Sequence, residues 1–271
     1  MLELLKVLFL GIVEGITEWL PISSTGHMLL VDEIIQLSAS EEFKKMFFVV
    51  IQLGAILAVC LVYFNRLNPF NPKLSKNKQK SIIRLWILVL IGCIPAGVVG
   101  VLFDDAIDAF FYNSTLVIAI TLIVYGVLFI VLESHPKPVR VKKTGQLTIK
   151  DAALVGAFQM LALIPGTSRS GSTILGGMIL GIDRFVAAEY SFFLAIPVMF
   201  GASLLKLLKY GFAFSFYEFF ILIFGMAVAF VTSLFVIKFL MNYVKKHDFK
   251  LFGYYRIVLG IIVIVYFTFL K

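Results

Sequence analysis

Six apolar runs, each long enough to cross a lipid bilayer, constrain the fold of this chain more than any other feature. A helix needs about 20 mostly apolar residues to cross the hydrocarbon core. With 61% hydrophobic and 15% charged residues and a mean hydropathy of +1.00, the chain has more apolar surface than a soluble domain of 271 residues buries. The sequence therefore predicts one all-α polytopic membrane domain over residues 1–271. The predicted transmembrane helices cover 47–64, 84–103, 115–132, 186–208, 217–241 and 254–270.

Two further apolar segments, 1–37 and 151–182, are interrupted by polar residues. Each contains a proline, Pro21 or Pro165, followed by a cluster of Ser, Thr and Gly residues. A continuous helix is unfavourable there, because proline lacks an N–H group and its ring clashes with the preceding turn. We therefore predict two broken helices.

The charged residues predict the topology. Segments 66–84, 137–150 and 245–256 are basic, whereas 103–108 is acidic. Basic loops favour the cytoplasmic side, so the net charge of +8 reflects membrane orientation and no nucleic-acid partner is expected. With the basic segments inside, residues 150 and 183 both lie on the cytoplasmic side and residue 46 lies outside. Segment 151–182 must then be re-entrant, entering and leaving on the cytoplasmic side, and segment 1–46 is most simply re-entrant from the outside. An internal N-terminus with one full span in 1–46 satisfies the same condition.

The two broken segments resemble each other. Residues 11–25 and 156–170 both read Gly-x-x-Glu/Gln, then Pro, then small hydroxyl residues, and three spans follow each of them. We therefore predict an inverted-topology internal repeat with halves 1–135 and 150–271. In such architectures the site commonly lies where the broken helices meet.

The cysteines and the isolated histidines do not indicate a metal or catalytic site, and nucleotide-binding motifs are absent from the sequence. Cys60 and Cys93 lie inside apolar runs without CxxC spacing, so we interpret them as packing residues. His135 and His247 lie in basic loops and are expected to be solvated. The sequence contains no Walker, dinucleotide-binding or HExxH motif.

The first polar motif combines carboxylates, hydroxyls and an imidazole. Glu14 and Glu18 are one helical turn apart, and such a pair in an apolar region needs a cation: a divalent metal, His27 or an arginine. Alternatively, the helix lies at the interface with both carboxylates in water. Ser24 is a candidate nucleophile and His27 a candidate acid or base. The neighbouring hydroxyls, at Ser23 and Thr25, are candidate substrate ligands or helix caps.

The second motif, PGTSRSGST over 165–173, suits an anion. It precedes a predicted helix, whose N-terminus attracts negative charge, and the planar guanidinium of Arg169 matches phosphate. Arg169 has an alternative role as the structural ion-pair partner of Glu14 or Glu18. The other candidate phosphate ligands in this motif are Gly166, Thr167, Ser168, Ser170 and Thr173.

Together, EGITEWLPISSTGH (14–27) and PGTSRSGST (165–173) resemble the bacterial undecaprenyl-diphosphate phosphatase family of the bacitracin-resistance type. The resemblance covers essentially the whole chain, and both motifs match without departure. It implies hydrolysis of undecaprenyl diphosphate to undecaprenyl phosphate, which recycles the lipid carrier of peptidoglycan synthesis. It also implies a divalent cation (Mg or Ca) held by Glu14 and Glu18, and an active site that opens to the outer face of the bacterial plasma membrane. The implied catalytic residues are Glu14, Glu18, Ser24, His27 and Arg169.

The sequence also permits a transporter or flippase of an anionic polyprenyl lipid, because inverted repeats with broken helices are typical of alternating access. A pure transporter has little need for Ser24 and His27 beside an acidic pair. The expected partners are the polyprenyl diphosphate lipid and the bilayer. The oligomeric state, a homodimer included, is open, as is the choice between Ser24 and water as the attacking group.

Overall fold

The structure, a computed structural model, describes residues 2–107, 114–211 and 214–270. These residues are predominantly helical and contain no β-strand. Their α-helices are α1 (Leu2–Thr17), α2 (Ser24–Ile35), α3 (Glu41–Val50), α4 (Gln52–Val62), α5 (Phe64–Leu67), α6 (Lys76–Ile107), α7 (Thr115–Ser134), α8 (Ile149–Met160), α9 (Arg169–Ile179), α10 (Arg184–Tyr210), α11 (Phe216–Val244) and α12 (Lys250–Val265). Short 3-10 turns at Thr144–Gln146 and Leu161–Leu163 and a π-helical turn at Tyr266–Leu270 complete the set.

Six helical segments of the described chain are long and apolar enough to span a membrane, which confirms the six predicted spans. The first consists of α3 and α4 joined at Ile51, and the others are formed by α6, α7, α10, α11 and α12. Their bounds are Glu41–Val62, Lys76–Phe103, Thr115–Ser134, Arg184–Tyr210, Phe216–Val244 and Lys250–Phe269. The acidic segment 103–108 ends at position 108, which lies outside the described residues.

Side-chain caps begin several of these helices. The hydroxyls of Ser40, Ser114 and Ser215 accept hydrogen bonds from backbone N–H groups of the first turn. Thr148 and Asp151 form a capping box at the start of α8. Each cap satisfies N–H groups that have no partner within the helix, which fixes where the helix begins.

Both predicted broken segments consist of two short helices that pack against each other, α1 with α2 and α8 with α9. The first segment leaves helical geometry between Thr17 and Ser24, around Pro21, and the second between Met160 and Arg169, around Pro165. Three of the four half-helices pack extensively against long spans, with α1 against α11, α8 against α6 and α9 against α10, whereas α2 makes a smaller contact with α7. The breaks at both prolines are therefore confirmed.

The three basic segments lie at one end of the helical bundle. Arg84 donates hydrogen bonds to the carbonyl oxygens of Gly145 (3.0 Å) and Leu147 (2.5 Å), which joins the first basic segment to the second. Arg184 donates to the carbonyl oxygen of His247 (3.3 Å), which belongs to the third basic segment. Their shared location is what the charge pattern predicts, and the side of the membrane that this end faces stays a prediction.

The minor sequence interpretations also hold. Cys60 and Cys93 are free thiols packed against the main hydrophobic cluster. His135 and His247 are exposed.

Candidate active site

Two serines in an unusual backbone conformation form the turns between the half-helices. Ser23 and Ser168 both have φ = 74°, a left-handed value that is uncommon for any residue except glycine. Each side chain caps the helix that follows, because Ser23 Oγ accepts from the N–H of Gly26 and Ser168 Oγ from that of Gly171. Strain of this kind, about 1–3 kcal/mol per residue, concentrates at functional sites. The two turns share this local geometry, whereas the inverted relation of the two halves stays a prediction.

Glu18 is the point where the two motifs meet. Its Oε1 atom pairs with Nη2 of Arg169 at 3.1 Å, and its Oε2 atom accepts a hydrogen bond from Ser24 Oγ at 3.0 Å. Both charged side chains are buried, with 5% of Glu18 and 8% of Arg169 exposed. One carboxylate therefore connects the candidate nucleophile to the candidate phosphate ligand.

The alternative role of Arg169 as an ion-pair partner of Glu18 is thus realised in the structure. Its Nη1 atom also donates to the backbone oxygen (2.7 Å) and hydroxyl (3.2 Å) of Ser191 on α10, and its guanidinium lies 5.8 Å from the ring centroid of Trp19. The Nε atom is buried without a hydrogen-bond partner. Arg169 is accordingly held at the junction with one donor unused, and its contact with phosphate stays a prediction.

Glu14 differs from Glu18 because its carboxylate has no partner. The side chain is fully buried, and neither Oε1 nor Oε2 has a hydrogen bond within the described structure. Interfacial solvation, the other reading of the acidic pair, does not apply to this geometry. A buried carboxylate without compensation is strongly unfavourable, so this position calls for a cation or a proton.

The donor set around Glu14 fits a hard divalent cation. Magnesium is often bound by only one or two carboxylates, with water and substrate phosphate oxygens completing its shell. Glu14 offers two free carboxylate oxygens and Glu18 lies one turn away, whereas the described residues contain no cluster of three or more His, Cys, Asp or Glu that could hold a metal alone. A cation here would depend on the substrate for the remaining ligands.

We expected His27 to act as an acid or base beside Ser24. In the described structure, the hydrogen bonds of His27 go to other residues. Its Nδ1 atom lies 2.7 Å from the backbone oxygen of Ser23, so Nδ1 carries a proton. Its Nε2 atom lies 2.7 Å from the hydroxyl of Tyr255, and the two rings stack with centroids 5.5 Å apart. In the neutral form of the ring, Nε2 accepts from the Tyr255 hydroxyl. The helix cap of Ser23 turns its carbonyl towards the imidazole, which directs His27 to α12 while Ser24 bonds to Glu18.

Arg256 on α12 is the main functional candidate that the sequence analysis missed. We placed it at the edge of a basic loop, yet it is fully buried. It donates to the backbone oxygens of Pro21 (3.1 Å), Gly166 (2.8 Å) and Thr167 (3.0 Å), so one guanidinium joins both broken segments. Among the described residues no ion pair joins it to a carboxylate. One feature of the sequence could have identified it: Arg256 is a charged residue directly followed by the apolar run 257–270.

Several predicted substrate ligands make protein contacts. Ser170 Oγ bonds to the backbone oxygens of Glu18 and Leu20, both at 3.2 Å, and Thr173 Oγ1 donates to Ser191 Oγ at 2.7 Å. Thr167 is buried and meets Arg256 through its carbonyl. These hydroxyls hold the junction together in this structure.

Gly166, which we predicted to be a phosphate ligand, allows α7 to pack closely against the second turn. It has φ = 85°, and a Cβ atom there would lie 2.2 Å from Thr121 Oγ1. Only glycine fits this position. Of the predicted hydroxyls, Ser24, Thr25 and Ser168 remain partly exposed.

The fold defines a class: polytopic helical membrane proteins, here with a buried junction of carboxylates, a hydroxyl and arginines where two broken helices meet. The family model described as "Bacitracin resistance protein BacA" matches residues 7–262. Curated relatives include undecaprenyl-diphosphatase from Acetivibrio thermocellus, 60% identical over 98% of this chain and 98% of the relative. Undecaprenyl-diphosphatase 1 from Clostridioides difficile is 59% identical over 98% and 97%, and an Enterococcus faecalis undecaprenyl-diphosphatase is 59% identical over 97% of each chain. The chain belongs to the BacA family.

Proposed function

We propose that this chain hydrolyses undecaprenyl diphosphate to undecaprenyl phosphate and inorganic phosphate. Family membership and relatives of that name at 59–60% identity over 97–98% of the chain support the assignment. The observation that carries it at the level of chemistry is the contact of Glu18 with both Ser24 and Arg169. A hydroxyl, a carboxylate and a guanidinium in contact are the groups that phosphoryl transfer requires.

Glu18 is the proton acceptor in this mechanism. Because Ser24 Oγ already donates to Glu18 Oε2, the carboxylate can take the proton from Ser24, or from a water occupying the same hydrogen bond, as that oxygen attacks the terminal phosphorus. The bond from phosphorus to the bridging oxygen breaks, and the lipid monophosphate leaves with its electron pair. If Ser24 is the attacking group, water then hydrolyses the phosphoserine.

Positive charge from two arginines stabilises the transferring group. Arg169 has an Nε–H without a partner in the described structure and shares the Glu18 carboxylate with Ser24, while the buried charge of Arg256 lies where the two turns meet. Glu14 and Glu18 would hold the divalent cation, which supplies charge neutralisation at the phosphate oxygens. His27, fixed by the Ser23 carbonyl and Tyr255, is placed as an orienting and proton-handling group.

The proposal includes location and partners. The enzyme lies in the bacterial plasma membrane with its site open to the outer face, and recycles the carrier of peptidoglycan synthesis. Its partners are the lipid substrate and the bilayer, without nucleic acid. One chain supplies both motifs, so the chemistry needs no second copy, and a homodimer is compatible with it.

Phosphate release by detergent-solubilised protein tests this function against lipid transport, because detergent micelles contain no second compartment. We expect wild-type protein to release phosphate from undecaprenyl diphosphate, Ser24→Ala and Glu18→Gln to reduce the rate at least about hundredfold, and Glu42→Gln on the exposed face of α3 to have no effect. Absence of release by wild-type protein, alongside substrate movement in vesicles, would support the transporter instead.

A further inference from the structure

A small basic cavity lies at the end of the bundle that carries the basic segments, outside the candidate active site. It has a volume of about 210 Å³ and lies between the start of α6, Arg66 after α4, and the 3-10 turn at Thr144–Gln146. Four basic side chains, from three separate parts of the chain, line it: Arg66, Lys78, Arg84 and Lys143. No carboxylate is among its lining residues.

The charges in this cavity are only partly compensated. Arg66 pairs with Glu189, a buried carboxylate that also accepts a hydrogen bond from Thr144. Within the described part of the chain, no ion pair involves the other three basic residues, and Arg84 bonds to backbone oxygens alone. Three positive charges thus converge on a recess where repulsion opposes them. An anion in the recess would reverse that repulsion.

The position of the cavity relative to the span indicates which anion fits. The span formed by α6 begins at Lys76, so Lys78, Ser81 and Arg84 lie in its first turns, at the depth of the lipid headgroups. Ile82, Leu85 and Leu88 form an apolar wall of the same cavity. Ile83 and Ile87, each 49% exposed, continue an apolar surface along α6. A ligand with a phosphate head and an acyl tail matches this combination.

We infer that this cavity binds the phosphate headgroup of an anionic phospholipid, with the acyl chains along α6. Basic pockets between transmembrane helices at the cytoplasmic surface commonly take such headgroups. The lipid would add a second polar link between α6 and segment 143–147, beside the two carbonyl contacts of Arg84. This inference is independent of the catalytic proposal, because none of the cavity residues belongs to the candidate active site.

A pair of charge-matched double variants tests the site. Lys78→Gln with Lys143→Gln removes two lining charges, whereas Lys76→Gln with Lys142→Gln removes two exposed charges from the same segments outside the lining. Native mass spectrometry of purified protein with phosphatidylglycerol measures retained lipid and its affinity. We expect the lining pair to weaken binding about thirtyfold, from about 1 kcal/mol per basic residue, and the control pair to bind like wild type.

Four further measurements complete the test. Brominated phosphatidylglycerol should quench Trp86 on α6, whose Nε1–H donates to the backbone oxygen of Leu67. It should leave the fully buried Trp19 unquenched. Ser81→Phe should fill the cavity without changing its charge and should also abolish retention. Inorganic phosphate at millimolar concentration should not displace the lipid, and phosphatase activity in detergent should be unchanged in every variant.

Equal weakening by the two double variants would overturn the inference, because it would indicate attraction by general surface charge. Displacement by inorganic phosphate would overturn the lipid assignment and identify a free-anion site. Retention of phosphatidylcholine as strong as that of phosphatidylglycerol would refute recognition of the anionic headgroup. If the lining double variant does not fold, Ser81→Phe decides the question alone.

Discussion

Replacing Arg256 by lysine tests whether one buried guanidinium fixes the distance between the two broken segments. The guanidinium spans both turns, with Nη1 on the oxygen of Pro21 and Nη2 on those of Gly166 and Thr167. Lysine keeps the positive charge, but its single ammonium is a compact donor without the planar fork. It can therefore satisfy oxygens on one turn, and the other turn loses its contact.

The expected loss follows from the number of carbonyl oxygens left without a donor. Three contacts are 3.1 Å or shorter, and an unsatisfied buried polar group costs about 1–3 kcal/mol. If lysine retains one or two of the three, Arg256→Lys should cost about 1–6 kcal/mol of stability. Because Ser24, Glu18 and Arg169 are contributed by both turns, a shift of about 1 Å between the turns should lower kcat about hundredfold.

Arg84→Lys is the matched control, because Arg84 also donates to two backbone oxygens but contacts neither of the two turns that Arg256 joins. Phosphate-release kinetics and melting of the detergent-solubilised protein are measured for both variants. We expect both to melt lower than wild type, but only Arg256→Lys to lose kcat, with a smaller change in KM. A folded Arg256→Lys enzyme within about threefold of wild-type kcat would refute the positioning role. So would a parallel loss of turnover in Arg84→Lys.

Three further predictions concern the metal, the phosphate contact and the topology. Glu14→Gln and Glu18→Gln should each lower activity and weaken its dependence on divalent metal, measured by chelator titration, because each removes an anionic oxygen. Arg169→Lys should reduce turnover at least about thirtyfold, or about 2 kcal/mol, because a bidentate fork becomes a point charge. Arg169→Ala should reduce turnover further. A single cysteine introduced at position 2 should react with an impermeant reagent in intact cells, whereas one at position 142 should not.

Each of these predictions has a control and a refuting result. Unchanged metal dependence in both glutamine variants would leave the carboxylates with another role, such as the pairing of Glu18 with Arg169. Arg184→Lys, which alters the separate ion pair with Glu133, should retain activity. A nearly active Arg169→Lys beside an unstable Arg169→Ala would reduce Arg169 to a structural partner of Glu18. Labelling uses a background without the native cysteines, and a reversed pattern would overturn the topology.

The sequence predicted the parts of this structure that depend on local pattern. Continuous apolar length identified the six spans, and the prolines at 21 and 165 located both breaks, because these signals act within one segment. The ion pair of Arg169 with Glu18 was one of the two roles that the sequence left open for Arg169, and Glu18 also contacts Ser24.

The partners of these motif residues were harder to predict, since they come from distant helices. His27 bonds to Tyr255, which is 228 positions away, and Arg256 reaches Pro21 across 235 positions. Neither α12 residue belongs to a motif, and hydropathy treats both as the polar edge of a span. The contacts of His27 with Ser23 and Tyr255 were not predicted either, because sequence proximity does not determine where a side chain points after a tight turn.

The charges of the junction explain why substrate and cation would be bound together. Two carboxylates and two guanidiniums are buried there, so their formal charges sum to zero, yet only Glu18 and Arg169 form an ion pair. Among the described residues the Glu14 carboxylate has no hydrogen-bond partner, and the hydrogen bonds of Arg256 go to carbonyl oxygens and not to a carboxylate. A cation alone would neutralise Glu14 but add to the positive charge, and a diphosphate alone would face the Glu14 carboxylate. A diphosphate bound through a divalent cation satisfies both positions, so affinity for each should rise in the presence of the other.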